Sequence, residues 1–176
     1  MKKLLLVKCA PEIFLKGLNK GKFERKLKNN IKNVFKDTDY SFVVDQGRWF
    51  IECDDLKRGI KRLKNVCGIS EICVVDEVDS NMESIESQAL ENSMENEGKT
   101  FKVVTKRANK KFPQTSIDVS REVGAYILQN THGLSVDVRK PDFFVNIEIR
   151  DKTYVYSRRI KGIGGMPYGT NGSTML

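Results

Sequence analysis

The sequence predicts an α+β chain made of two small mixed domains, and three observations carry that prediction. Short apolar strands and helical repeats follow one another as β-α-β-β-α-β over residues 1–75. Residues 76–97 then hold eight acidic side chains and no basic one. A second mixed unit of strands and one long helical repeat occupies residues 99–159. With 176 residues and 39% hydrophobic content, each unit has enough apolar material for a core of its own.

Leu4 to Val7 form the first strand; Lys8 ends the apolar run too early for a signal peptide. Phe23, Leu27, Ile31, Val34 and Phe35 recur at helical spacing. Tyr40–Val44 and Trp49–Cys53 are strand-like, and the Gln46-Gly47 pair between them signals a hairpin. Asp54 and Asp55 suit a helix start, with Leu56, Ile60 and Leu63 on one face. Ile69 to Val75 supply the last strand. This order is the split β-α-β arrangement of ferredoxin-like folds.

In the acidic stretch, Met82, Ile85 and Ala89 space an amphipathic helix whose acidic wet face should point away from any bound polyanion. Phe101 to Thr105 is a strand. Thr115 or Ser116 caps a helix with Val119, Val123 and Ile127 on its buried face, ended by Gly133. Val136 and Val138 mark a short strand. Phe143, Val145, Ile147 and Ile149 alternate with polar neighbours, and Tyr154–Tyr156 returns after a turn. Residues 161–176 crowd Gly162, Gly164, Gly165, Gly169 and Gly172 together, which reads as a flexible inter-domain linker. The apolar ending at Met175-Leu176 is read as the start of another domain. The expected division is therefore 1–75, 76–160 and 161–176.

Net charge +8 and a pI near 9.3 favour a polyanionic partner, nucleic acid before an anionic membrane. No apolar run approaches the roughly 20 residues that span a bilayer. Cys9, Cys53, Cys67 and Cys73 contain no Cys-x-x-Cys pair, which argues against a zinc ribbon and for reduced thiols in a cytoplasmic protein. The single histidine, His132, lies at a helix end, so no Ser-His-Asp or Cys-His arrangement forms around it. The glycine stretch is no Walker loop, because the required Lys is missing after Gly169 and Gly172. It is no dinucleotide loop either, because Pro167 stands where the third glycine belongs. A binding module is the reading these residues support.

The sharpest constellation is the run from Lys106 to Pro113. Residues 99–113 contain six basic side chains and no acidic one. Arg107 can fork onto a phosphate, and Lys106, Lys110 and Lys111 supply point charge. Phe112 offers a ring for base stacking, typically worth about 1–3 kcal/mol. The helix start near Ser116 adds main-chain donors for an anion. The bland alternative is a solvated loop with Phe112 in the core. A second basic stretch, residues 16–36, sets eight positive side chains against Glu24 alone.

The motifs, taken together, resemble the tRNA 4-thiouridine synthase (thiamine-biosynthesis sulfurtransferase) family. Glu12-Ile13-Phe14-Leu15-Lys16-Gly17 with Asn19-Lys20 and Phe23-Glu24 resembles its opening. Phe101–Val103, Lys106-Arg107, Lys110–Pro113 and Ser116, then Pro141-Asp142 and Val145–Arg150, resemble its THUMP domain. Gly162–Thr170 resembles the segment leading to its catalytic domain. Cys9-Ala10-Pro11 departs from the aromatic residue and Gly usual in the family at that point.

The resemblance implies an N-terminal ferredoxin-like domain followed by an α/β THUMP domain, with RNA contacts at Lys106, Arg107, Lys110, Lys111, Phe112 and Ser116. It implies a further PP-loop domain that uses ATP with Mg to adenylate the tRNA uridine before thiolation. Met175 and Leu176 would begin that nucleotide site, and residues 1–176 alone would be inactive. Implied partners are the tRNA acceptor end and a cysteine desulfurase that donates sulfur; a thiamine role and a rhodanese-like domain occur in the family. The competing reading is a protein-interaction or dimerisation module that recruits a sulfur donor.

Overall fold

The computed structural model describes residues 2–170 and divides the chain into two units. Residues 4–73 with 159 onward make the N-terminal unit; the first three residues with 74–158 make the second. Two long strands, β1 (Lys2–Cys9) and β4 (Ile69–Val78), contribute to both.

In the N-terminal unit, β1 is followed by a short helix α1 (Pro11–Phe14), a 3-10 turn and α2 (Lys20–Phe35). Phe23, Leu27, Ile31 and Phe35 are the buried stripe of α2, the spacing that the sequence predicts. The hairpin of β2 (Tyr40–Asp45) and β3 (Arg48–Cys53) turns through Gln46 and Gly47, both at positive φ, as a two-residue turn between twisted strands requires. Asp55 caps α3 (Leu56–Leu63) by accepting from the Arg58 amide at 3.0 Å. The strand order β2-β3-β1-β4, with β3 antiparallel to β1, is the ferredoxin-like order.

The glycine-rich segment is not a free linker over its described residues. Strand β9 (Arg159–Lys161) pairs antiparallel with β4, Ile72 opposite Ile160. Gly162 and Gly164 donate their amides to the Ser70 and Ile69 oxygens at 2.9 and 2.7 Å, and Gly164 accepts from Gly68. A Cβ at Gly162 would land on the Ile69 carbonyl oxygen, so only glycine fits there. The glycines therefore allow close strand approach, and the segment belongs to the N-terminal unit.

The second unit begins with the latter half of β4. Asn81 caps α4 (Met82–Met94), whose Ile85 and Ala89 are fully buried. Strand β5 (Thr100–Arg107) runs parallel to β6 (Ser135–Val136) and β7 (Phe143–Ile149), while β8 (Thr153–Tyr156) is antiparallel to β7 and β4. Helix α5 (Ser116–Asn130) covers this mixed sheet with Val119, Val123 and Ile127. Its side chain–main chain closure comes from Thr131 and Asn130 rather than from Gly133: Thr131 Oγ1 donates to the Ile127 oxygen at 2.7 Å.

Candidate nucleic-acid interface

Strand β5 runs two residues further than its apolar pattern predicts. Lys106 and Arg107 lie on the strand, opposite Glu148 and Ile149 of β7. The chain then leaves the sheet with the Ala108 and Asn109 amides both donating to the Ile149 oxygen, at 2.8 and 3.1 Å. Asn109 turns it back, its side-chain oxygen accepting from the Lys111 amide at 3.0 Å. Arg107 spans the turn: Nη1 donates to the Phe112 oxygen at 2.9 Å and the Gln114 oxygen at 3.0 Å.

Two of the predicted contact residues therefore have other work. Phe112 is 6% exposed, within the core cluster that contains Val119, Val123 and Ile149. Its ring is not presented for base stacking; burying an aromatic ring gains more than leaving it in water. Arg107 braces the loop from within, its side chain partly covered. Lys106, Lys110 and Lys111 are exposed, so the brace and the anchor together hold three ammonium groups outward.

Ser116 is the first residue of α5, and Thr115 is the cap. Thr115 accepts from the Asp118 amide at 3.2 Å, and the Asp118 carboxylate accepts from the Thr115 amide and hydroxyl at 3.3 and 2.6 Å. The Thr115 hydrogen bonds hold the Asp118 carboxyl below its ordinary pKa. A carboxylate thus already sits at the helix start, where the sequence suggests an anion site near Ser116. Met175 and Leu176 lie outside the described residues.

Sequence reasoning did not single out a buried polar group beside this loop. Glu148 is 1% exposed; it accepts from Arg150 Nε at 2.8 Å and from the Tyr156 hydroxyl at 3.1 Å. The alternation of β7 reads Glu148 as a solvent-facing residue, and the only signal against that is the Arg and Tyr two and eight positions on.

In the N-terminal unit, Glu71 accepts from Lys8 at 2.9 Å, from Arg159 through a fork at 2.8 and 2.7 Å, and from Cys73 Sγ at 3.1 Å. Burial alone would raise its pKa; the hydrogen bonds from Arg159, Lys8 and Cys73 outweigh it and hold the carboxyl at about 2. Burial pushes the Cys73 thiol up to about 12 and the Cys9 thiol up to about 11. Neither is a ready nucleophile at neutral pH. The described residues contain no cluster of His, Cys, Asp or Glu able to hold a metal ion. The Gly162 and Gly164 amides are spent on β4, so they form no cradle for a triphosphate.

The charge is divided unevenly. Residues 4–73 and 159–176 carry 17 basic and 9 acidic side chains, whereas the other unit carries 14 of each. The whole net charge of +8 belongs to the N-terminal unit, and the loop with Lys106, Lys110 and Lys111 is a local basic site on a unit of zero net charge.

Residues 4–73 match the ThiI ferredoxin-like domain and residues 79–158 match the THUMP domain. Over all 176 residues the chain is 69% identical to a probable tRNA sulfurtransferase of Clostridium kluyveri, of which it spans 46%. The chain thus spans about half the length of the curated relatives it matches. A crystal structure of a 4-thiouridine synthetase–RNA complex with bound ATP is similar over 98% of this chain and 45% of that one, at 32% identity and a TM-score of 0.83. A Pyrococcus horikoshii crystal structure is similar over 96% of this chain and 58% of that one, at 30% identity and a TM-score of 0.81.

Proposed function

We infer, from a chain whose residues 4–73 belong to the ThiI ferredoxin-like domain family and residues 79–158 to the THUMP domain family, that it is the tRNA-binding part of a tRNA sulfurtransferase that makes 4-thiouridine. The observation that carries this reading is the braced loop: Arg107 and Phe112 fix its shape, and Lys106, Lys110 and Lys111 face solvent from it. Lysine is a compact point charge suited to phosphate oxygens without regard to base. A short loop of this kind reaches the unpaired nucleotides of an acceptor end more readily than the deep groove of an A-form helix. The likeness to the 4-thiouridine synthetase–RNA complex supports the choice of RNA.

In this reading, residues 1–170 hold and position the tRNA. Adenylation of the uridine with ATP, and delivery of sulfur from a cysteine desulfurase, belong to the part of the relatives' length that this chain does not span. The described residues offer no fit for ATP or its metal, and no chemical step is ascribed to them.

The test is fluorescence anisotropy with an acceptor-arm RNA hairpin bearing an unpaired 3′ end, read against salt. The variant Lys106→Gln/Lys110→Gln/Lys111→Gln should bind more weakly and lower the slope of log affinity against log salt by up to about 2, at about 0.7 per single-strand phosphate contact. Unchanged affinity and slope in that variant would sink the assignment.

A further inference from the structure

We propose that the second unit carries a site for a linear polyamine-class cation, in a trough lined by α4 and β4. Two cavities, of about 560 and about 170 Å³, share Glu91 as a common wall. Every residue that lines them belongs to this unit. Glu83, Glu91 and Glu95 follow one face of α4 to its C-cap, twelve residues that span about 18 Å at 1.5 Å per residue. Asp76 and Glu77 come from β4, and Asp79 stands just beyond it. These six carboxylates meet three basic side chains, Lys2, Lys3 and Arg158, on a chain whose net charge is +8.

Asp76 separates the trough from an ordinary acidic surface. It is 3% exposed, it lines the smaller cavity, and its Oδ1 accepts no hydrogen bond. Its ion-pair partner, Lys3, stands 3.5 Å from that oxygen on a side chain that is 54% exposed. A buried carboxylate oxygen without a donor is costly, and a bound ammonium group would supply one. The helix adds a second conflict. Glu91 and Glu95 sit at the negative end of the α4 dipole, and its last turn has no basic residue. Glu77 pairs with Lys152 at 2.8 Å, but Asp79, Glu83, Glu91 and Glu95 form no ion pair with a described residue. Local choices that oppose stability in this way concentrate at functional sites.

The shape and lining of the trough decide the class of cation. Its carboxylates are strung along a helix rather than gathered, and no group of them is placed to hold one metal ion among the described residues. Val74 and Val78 are the only apolar side chains in the lining, and it contains no aromatic ring. A protein segment would need such anchors at the centre of its interface. What fits is a slender, hydrophilic chain with ammonium groups in series. Glu91 and Glu95 are about 6 Å apart along the helix axis, within reach of ammonium groups joined by a short alkyl chain. The inference does not rest on the proposed function.

Spermidine is the probe, titrated calorimetrically into the full chain at low salt. Wild type should bind one spermidine per chain. Glu91→Gln/Glu95→Gln, two changes at exposed positions, should lose about tenfold affinity with its far-UV circular dichroism preserved. Glu86→Gln/Glu122→Gln removes the same charge outside the lining and should bind as wild type does. Lys3→Met removes the ammonium that competes for Asp76 and should tighten binding, a gain that general charge screening or damage to the fold would not give. Equal loss in both double variants would reduce the site to diffuse charge and overturn the proposal. Displacement of spermidine by magnesium at equal charge would do the same. If wild type ignores millimolar spermidine but binds a lysine–serine repeat peptide through Glu91 and Glu95, the occupant is a protein segment and the polyamine assignment falls.

Discussion

Arg107 donates through Nη1 to the Phe112 main-chain oxygen at 2.9 Å, and the same nitrogen reaches the Gln114 oxygen at 3.0 Å. A residue expected to grip phosphate also closes a ring of protein around its own loop. Charged donors to main-chain oxygens contribute about 1–3 kcal/mol, and their loss leaves polar groups without a partner. Arg107→Ala should therefore lower the unfolding free energy by about 1–3 kcal/mol and weaken RNA binding together. Lys110→Gln should weaken binding with no change in unfolding. Denaturant titration and anisotropy on the same samples separate the two. An Arg107→Ala protein of wild-type stability would show that the brace is incidental.

Phe112 gives the second prediction. Phe112→Ala should cost about 3–5 kcal/mol, as large core truncations do. Phe112→Leu keeps most of the buried volume and should leave RNA affinity within about twofold of wild type. Were the ring stacked on a base, its removal would cost about 1–3 kcal/mol, roughly 5- to 150-fold in affinity. A loss of that size in a well-folded Phe112→Leu protein would return the ring to the interface.

These two residues show where reading the sequence succeeds and where it stops. The strand and helix order was legible because the periods are clean: Phe23, Leu27, Ile31 and Phe35 are buried as spaced, and Gln46-Gly47 turns the hairpin. The loop was legible as a basic cluster but not as a division of roles. Whether Arg107 points at solvent or back at a carbonyl depends on the turn that Asn109 makes, a tertiary detail with no period. The glycines after Lys161 misled for a related reason. Glycine marks flexible chain and close strand approach alike, and only the partner, here the Ile69 oxygen, tells them apart. The location of the net charge became legible only when the chain was divided into its units.

Glu71 makes stability depend on pH in a defined direction. Its folded pKa, about 2, lies below the ordinary 4.5. A depressed carboxyl stabilises the fold fully above the unfolded value and loses that contribution as pH falls through the folded one. The Lys8 and Arg159 contacts are partly solvent-screened, so the contribution near neutral pH is roughly 1–2 kcal/mol. Glu71→Gln should be less stable than wild type by that amount at pH 7. The gap should narrow as pH falls from about 5 and close near pH 2. Urea titrations of both proteins across this range measure it, and a gap that is constant with pH would assign the effect to packing.

The first turn of α2 has no acidic residue, and Lys20 and Lys22 lie at the positive end of its dipole, a conflict that one residue can reverse. Lys22→Glu places a carboxylate in the first turn, where the helix dipole favours it by about 0.3–1 kcal/mol at an exposed site. It also sets an acid four residues before Lys26, the favourable orientation for such a pair, adding about 0.2–0.5 kcal/mol. The substitution should therefore raise thermal stability, by about 1–5 °C at the usual scaling for a chain of this size. If the excess positive charge of this unit meets RNA phosphates, the same substitution should weaken RNA binding more than Lys22→Gln does, because it adds repulsion to the loss of a contact. Stability and affinity moving in opposite directions is the signature of a charge kept for binding. A protein both more stable and equally tight would show that Lys22 lies outside the RNA path.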